Sequence, residues 1–255
     1  MSLIVTVVTN EGIVMASDSR ITYNNLLTGE KGVHYSDNAY KTFLCGEFIG
    51  ISTCGNADVN GKPIAGFVED FIKNCYNGND IATTASLLLE YFNKIAKGQD
   101  INFQIAGYSR KDEKDLATVY EVFLSRNKVQ ESLSGGCNAF IDGENDIIFR
   151  LFKHGYIIDE GKSIFVKSIS LDVDGQQKTY NNAMLLPDSY SEMRSANIAW
   201  NLLTLQDAVD FARYAIQTTS ETMRFEQRLK TVGGAIDVLI IKPTGARFLT
   251  RKELQ

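Results

Sequence analysis

At 255 residues, the chain is long enough to bury a core that needs no disulfide or structural metal. Hydrophobic residues make up 44% and charged residues 22%, the balance of a globular protein, and 3 prolines exclude Pro-rich linkers. A formal net charge of -5 without a basic run argues against a nucleic-acid partner.

The chain opens with a β-branched strand over residues 3–9, a turn at Asn10-Glu11-Gly12, and a second strand from Ile13 to Ser17. Both are apolar enough to be buried on two faces. Residues 21–38 are polar and read as a long loop. Lys41 to Cys45 and Phe48 to Cys54 form a second hairpin around Gly46-Glu47. Ile64, Phe67, Val68, Phe71 and Ile72 recur at helical spacing, which predicts a helix over 60–76; a second runs from Ile81 to Ala96 and stops at Gly98.

Strands return at Asn102 to Tyr108, Ala117 to Leu124 and Lys128 to Leu133, followed by a Ser134-Gly135-Gly136 turn. Residues 144–152 and 164–170 are periodic without declaring a type, and Asp172 to Asn182 reads as a hairpin or a loop. A third helix opens at Thr204-Leu205-Gln206-Asp207, a capping-box pattern. Gly233-Gly234, read as a backbone requirement rather than an anion site, precedes an apolar strand from Ile236 to Ile241. Strand runs between helix runs predict two sheets covered by helices, not a Rossmann alternation.

Cys45, Cys54, Cys75 and Cys137 form no C-x-x-C pair, and the two histidines, His34 and His154, stand apart. No metal site or cofactor is expected from such a set. Scattered cysteines without a secretion signal fit a reducing, cytoplasmic setting. No run approaches the roughly 18 apolar residues of a membrane span.

There is no G-x-S-x-G, Walker A or G-x-G-x-x-G motif. One chemistry remains that needs no histidine. Removal of Met1 before the small Ser2 would free an α-amine, whose ordinary pKa is roughly 7.7–8.0. That amine can act as base for its own hydroxyl. The hairpin returns Asp18 to the start of the first strand, and Lys41 begins the next hairpin, so a carboxylate and a cation are at hand.

Ser2-Leu-Ile-Val-Thr-Val-Val-Thr-Asn-Glu-Gly-Ile-Val-Met-Ala-Ser-Asp-Ser-Arg resembles the start of mature proteasome β-subunits. Without gaps, the family's nucleophile falls on Ser2, its buried aspartate on Asp18 and the following arginine on Arg20. Tyr40-Lys41-Thr42-Phe43-Leu44 is similar to the segment of the catalytic lysine, and Gly55-Asn56-Ala57-Asp58 to the one that opens the first helix. Thr231-Val-Gly-Gly-Ala-Ile-Asp-Val-Leu-Ile-Ile241 resembles the segment that delivers a late core strand. Thr218-Thr-Ser-Glu-Thr-Met-Arg-Phe225 looks more like bacterial proteasome-related proteins of the Anbu type.

The resemblance covers about residues 2–136 and 203–242; residues 137–202 match less well, as an insertion within a single domain over 1–255. It implies an α+β fold, the four-layer αββα sandwich of N-terminal nucleophile hydrolases. It implies a peptidase acting on peptides or unfolded proteins, as a homo-oligomer. Ser134 aligns loosely with a family serine, and the oxyanion donor falls on the backbone N–H of Gly50 or Ile51. The family's aspartate and serine before the late Gly-Gly are replaced by Leu229 and Val232. The competing readings are a non-catalytic assembly subunit and a small-molecule amidase.

Overall fold

A computed structural model describes residues 2–23, 34–152, 158–159, 163–164, 169–173, 176–180 and 198–253. In chain order the strands are β1 (Leu3–Thr9), β2 (Gly12–Ser17), β3 (Ile21–Tyr23), β4 (His34–Ser36), β5 (Thr42–Cys45), β6 (Ile49–Gly55), β7 (Asp58–Val59), β8 (Lys62–Pro63) and β9 (Ile101–Lys111). They continue with β10 (Lys114–Phe123), β11 (Lys128–Ser134), β12 (Asn138–Gly143), β13 (Ile158–Asp159), β14 (Ser163–Ile164), β15 (Ile169–Val173), β16 (Gln176–Tyr180), β17 (Asp237–Lys242) and β18 (Gly245–Thr250). The helices are α1 (Ile64–Asn74), α2 (Ile81–Ala96), α3 (Asp146–Phe152) and α4 (Leu205–Met223). The fold is mixed α+β. The chain divides into two compact units, Met1–Asn145 with Ala199–Gln255, and Asp146–Ile198.

The larger unit holds two five-stranded sheets, ordered β12-β1-β2-β17-β18 and β11-β10-β9-β6-β5. Neighbouring strands are antiparallel throughout. Every residue of β1 and β2 is buried, as the sequence predicts. The cause is contact on both faces: α4 lies against β1 and β2, while β2 also meets β5, β6 and β9. Met15, Leu239 and Ile241 of the first sheet cluster with Ala106 and Val119 of the second. α1 and α2 bury Val68, Phe71, Leu88 and Phe92 against Ile51, Phe103, Ile105 and Val122.

Local chemistry fixes the helix starts. Asp80 caps α2 by accepting the Thr83 N–H at 2.7 Å. The predicted capping box at Thr204 forms, with Asp207 N–H donating to Thr204 Oγ1 at 3.1 Å and Thr204 N–H returning to Asp207 Oδ2 at 2.8 Å. α1 is shorter than the predicted 60–76, because Asn60 and Gly61 take positive φ in the turn between β7 and β8. Pro63 then stands at the N-cap of α1.

The predicted loop over 21–38 contains an antiparallel pair, β3 with β4; residues 24–33 lie outside the described residues. Two strands of the five-stranded sheets escape the sequence reading. β12 completes the sheet beside β1, and β18 pairs with β17 through a hairpin.

The smaller unit carries α3, with Asp146 and Arg150 paired at 3.6 Å one turn apart, and two strand pairs, β13 with β14 and β15 with β16. Within the Asp172–Asn182 segment, Asp172 and Val173 of β15 pair with β16 as far as Tyr180; residues 174–175 and 181–182 lie outside the described residues. No described helix is long and apolar enough to cross a membrane.

Candidate active site

The β1–β2 hairpin brings its two ends together. Ile4 pairs with Ser17, so Ser2 and Asp18 occupy the same edge of the sheet. Asp18 is fully buried, and its carboxylate is surrounded by donors. Oδ1 accepts the Leu3 N–H at 3.0 Å and Lys41 Nζ at 2.7 Å. Oδ2 accepts the N–H groups of Arg20 and Gly233, each at 3.0 Å. Four donors on one carboxylate offset the loss of its hydration.

Lys41 is 3% exposed. It also donates to the Arg20 carbonyl at 2.5 Å. An ammonium has three hydrogens, and these two acceptors engage two of them. Burial is the largest influence on Lys41 and lowers its pKa from 10.5, against the opposing pull of Asp18. The charged form is thus disfavoured in the folded state. Between the lowered midpoint and 10.5 the unfolded chain binds more protons, so this group's contribution to stability rises with pH across that window.

Arg20 faces outward from the pair. Its Nε and guanidinium nitrogen donate to the two oxygens of Asp37 at 2.7 and 2.8 Å. That bidentate bond holds the Asp37 carboxyl below its usual range, although burial opposes it. The guanidinium also rests on Gly233, where an added Cβ would lie 2.5 Å from Arg20 Cζ. Gly233 thus permits a close approach while its N–H holds Asp18. Gly233→Ala should push Arg20 off Asp37 and destabilise the protein by about 1–3 kcal/mol, measurable by chemical denaturation.

A cavity of about 190 Å³ opens beside this cluster, with Ser2, Lys41, Thr53 and Cys54 in its lining. Ile21, Tyr40, Pro63 and Ile64 make its apolar wall, and Ser36, Asn38 and Asn56 add polar groups. The Ser2 carbonyl is fixed from behind by the Glu144 N–H at 2.8 Å.

Not every sequence candidate arrives here. Gly50 and Ile51 sit mid-strand in β6, in register with β5 on one side and β9 on the other. Gly50 faces Met15 and Leu239 in the core between the sheets. The part of β6 that reaches the cavity is Thr53 and Cys54. Ser134 ends β11, opposite Thr118, which pairs in turn with Gly107. Cys54 pairs with Asn102, five rungs away, or about 17 Å at a strand's rise of roughly 3.4 Å. Ser134 therefore belongs to the other end of its sheet.

Neither buried cysteine offers a competing nucleophile. Cys54 is fully buried, and burial first, then Asp142, pushes its thiol well above its ordinary range. Burial raises Cys45 to about 12. Thiols held this high stay protonated at neutral pH.

Several members of the cluster had weak sequence signals. Asp37 lies in a stretch read as loop, Gly233 reads only as a backbone requirement with no partner named, and Glu144 lies where the predicted element type was open. Compared with models of known protein families, the chain matches none, and it matches no curated protein.

Proposed function

We propose that the chain is a proteasome-like hydrolase of the N-terminal nucleophile type, related to the bacterial Anbu-like group. The observation that carries this reading is the convergence of Leu3 N–H and Lys41 Nζ on Asp18 Oδ1, beside a cavity lined by Ser2 and Lys41. The first residue after Met1, a buried carboxylate and a buried amine meet there without a histidine. The contacts of α4 with β1 and β2, of β2 with β5 and β6, and of α2 with β9 and β10 support a four-layer αββα sandwich.

The chemistry follows from these parts. With Met1 removed, Ser2 Oγ attacks the carbonyl carbon of an amide, and its proton passes to the Ser2 α-amine. Lys41 stabilises the negative charge at the hydroxyl and keeps the amine neutral. Asp18 orients Lys41. Collapse of the tetrahedral intermediate breaks the C–N bond, and the leaving amine takes the proton. Water then hydrolyses the ester on Ser2.

A cavity of about 150 Å³ accepts a benzene ring, so the one beside Ser2 is large enough for an apolar side chain. Among the described residues, Lys41 is the single charged one in its lining, and it is already paired with Asp18. Peptides with a leucine- or phenylalanine-like residue before the scissile bond are the substrates this chemistry favours. Exposed Leu202 and Phe225 are candidates for subunit contacts in a homo-oligomer. Four free thiols accord with a cytoplasmic setting.

The test is covalent. Protein purified from its host should have lost Met1. A peptide vinyl sulfone ending in leucine should add one equivalent to the Ser2-containing peptide, and Ser2→Ala should add none. Retained Met1 with no labelling favours a non-catalytic assembly subunit. Turnover of small amides but not peptides favours an amidase.

A further inference from the structure

A second lysine, largely shielded from solvent, lies near the first. Lys252 follows β18, and its side chain is 10% exposed. Its Nζ donates to Asp237 Oδ2 at 2.9 Å, to Ser19 Oγ at 3.0 Å and to the Ala39 carbonyl at 2.5 Å. All three hydrogens of the ammonium are engaged. The other Asp237 oxygen accepts the Lys252 N–H at 2.8 Å. Nζ also lies 4.2 Å from the centre of the Tyr40 ring, and the Tyr40 hydroxyl donates to the Lys252 carbonyl at 3.3 Å.

The places it ties together are specific. Ser19 follows Asp18, and Ala39 and Tyr40 precede Lys41. Ala39 N–H also donates to the Ser19 carbonyl at 3.0 Å. One ammonium thus joins both segments that carry the Asp18–Lys41 pair and anchors them to Asp237 at the start of β17. Lys252 does not line the cavity, so it has no direct access to a substrate there.

We propose that Lys252 is a positioning residue, holding the segments of Asp18 and Lys41 in register and setting a second positive charge beside them. The inference rests on the reading of Lys41 as the cation that tunes Ser2. The charged and titratable groups around Lys41 are Asp18, in direct contact, and Lys252, Cys54 and Asp37 through space. Arg20 adds its carbonyl at 2.5 Å, and the processed Ser2 adds its α-amine. Asp18 favours the charged form of Lys41, and Lys252 disfavours it. Burial remains the largest influence and Lys252 adds to it, so the ammonium is more acidic than an ordinary lysine's and better able to donate a hydrogen bond to Ser2 Oγ.

The experiment follows Lys41 itself. In Met1-processed protein labelled at lysine, the side-chain resonances of Lys41 are titrated by NMR and assigned with Lys41→Arg. Lys252→Met should raise the Lys41 midpoint and lower kcat by about 10–100-fold, with KM changed little. Lys252→Arg keeps the cation and should restore the midpoint and most of kcat. A protein merely held together by this ion pair would lose stability in Lys252→Met while keeping its Lys41 midpoint.

If Lys252→Met leaves Asp237 unpaired and fails to fold, the neutral pair Asp237→Asn with Lys252→Met replaces it, with the same direction expected. An unmoved Lys41 midpoint in the folded variant overturns the inference, whether or not the enzyme turns over. An inactive wild type whose Lys41 still responds to Lys252 overturns the hydrolase reading alone.

Discussion

Asp18→Asn is expected to destabilise the protein by about 3–5 kcal/mol and to lower kcat/KM by about 10³-fold or more. The carboxylate accepts two donors on each oxygen. An amide offers one accepting oxygen and one NH₂ group that can only donate. In either orientation the NH₂ meets two donors: Leu3 N–H and Lys41 Nζ on one side, or the N–H groups of Arg20 and Gly233 on the other. Lys41 also loses its counter-charge inside the fold. Because Asp18 favours the protonated lysine, the Lys41 midpoint should fall further below its ordinary value. Urea denaturation, kcat/KM on a leucine peptide and the Lys41 titration read the three effects. Wild-type stability in Asp18→Asn would mean that the four donors find other partners.

Gly143→Ala should have an effect of similar size by a different route. Gly143 ends β12 opposite Leu3 and has a φ of 94°. An alanine there bears backbone strain of about 1–3 kcal/mol. Its Cβ would also run into the Ser2 carbonyl oxygen and carbon. Both are main-chain atoms, held by the Glu144 N–H at 2.8 Å, so no flexible side chain can yield. With an overpacking cost of about 1–3 kcal/mol added to the strain, the expected loss is about 2–6 kcal/mol in total. The remaining folded protein should carry Ser2 displaced. The labelling rate of Ser2 should fall even where the protein is still folded; a normal rate would show that Ser2 is not held by β12.

Much of this arrangement was legible along the chain because its signals are local. The apolar run from Leu3 to Ser17 and the turn at Asn10 place β1, β2 and Asp18 by hairpin geometry alone. Helical spacing finds α2 and α4, and the Thr204 capping box fixes where α4 starts. Long-range pairing was harder to read. β12 is short, with an Asn-Ala-Phe-Ile-Asp-Gly sequence that carries little strand signal, and its place beside β1 depends on a partner about 135 residues away in sequence.

The site divides the same way. Ser2, Asp18, Arg20 and Lys41 lie in or beside two hairpins, so hairpin geometry is enough to group them around Asp18. Gly50 and Ile51 were misplaced because counting along β6 does not reveal which end of a buried strand meets the cavity; the ladders on both sides do. Ser134 was misplaced because a turn serine looks the same at either end of a sheet. Gly233, Asp237 and Lys252 reach the cluster only through the fold, and a lysine near the end of a chain has no pattern that separates a solvated side chain from a buried one.

The two donors on Asp18 that are farthest apart in sequence also set when the site can exist. Leu3 is 15 residues from Asp18, whereas Gly233 is 215 residues away. At a synthesis rate of roughly 5–20 residues per second, the 215 residues from Asp18 to Gly233 take about 10–40 s to make. During most of that time β1 and β2 exist without β17, and Asp18 without the Gly233 N–H. The central strands of the first sheet are thus the earliest made and among the last to be fully paired, a high-contact-order arrangement that folds slowly. The carboxylate network is therefore completed only after nearly the whole chain is available. On the proposed hydrolase reading, a nascent chain would expose Ser2 early, yet hold no finished centre until Gly233 had arrived.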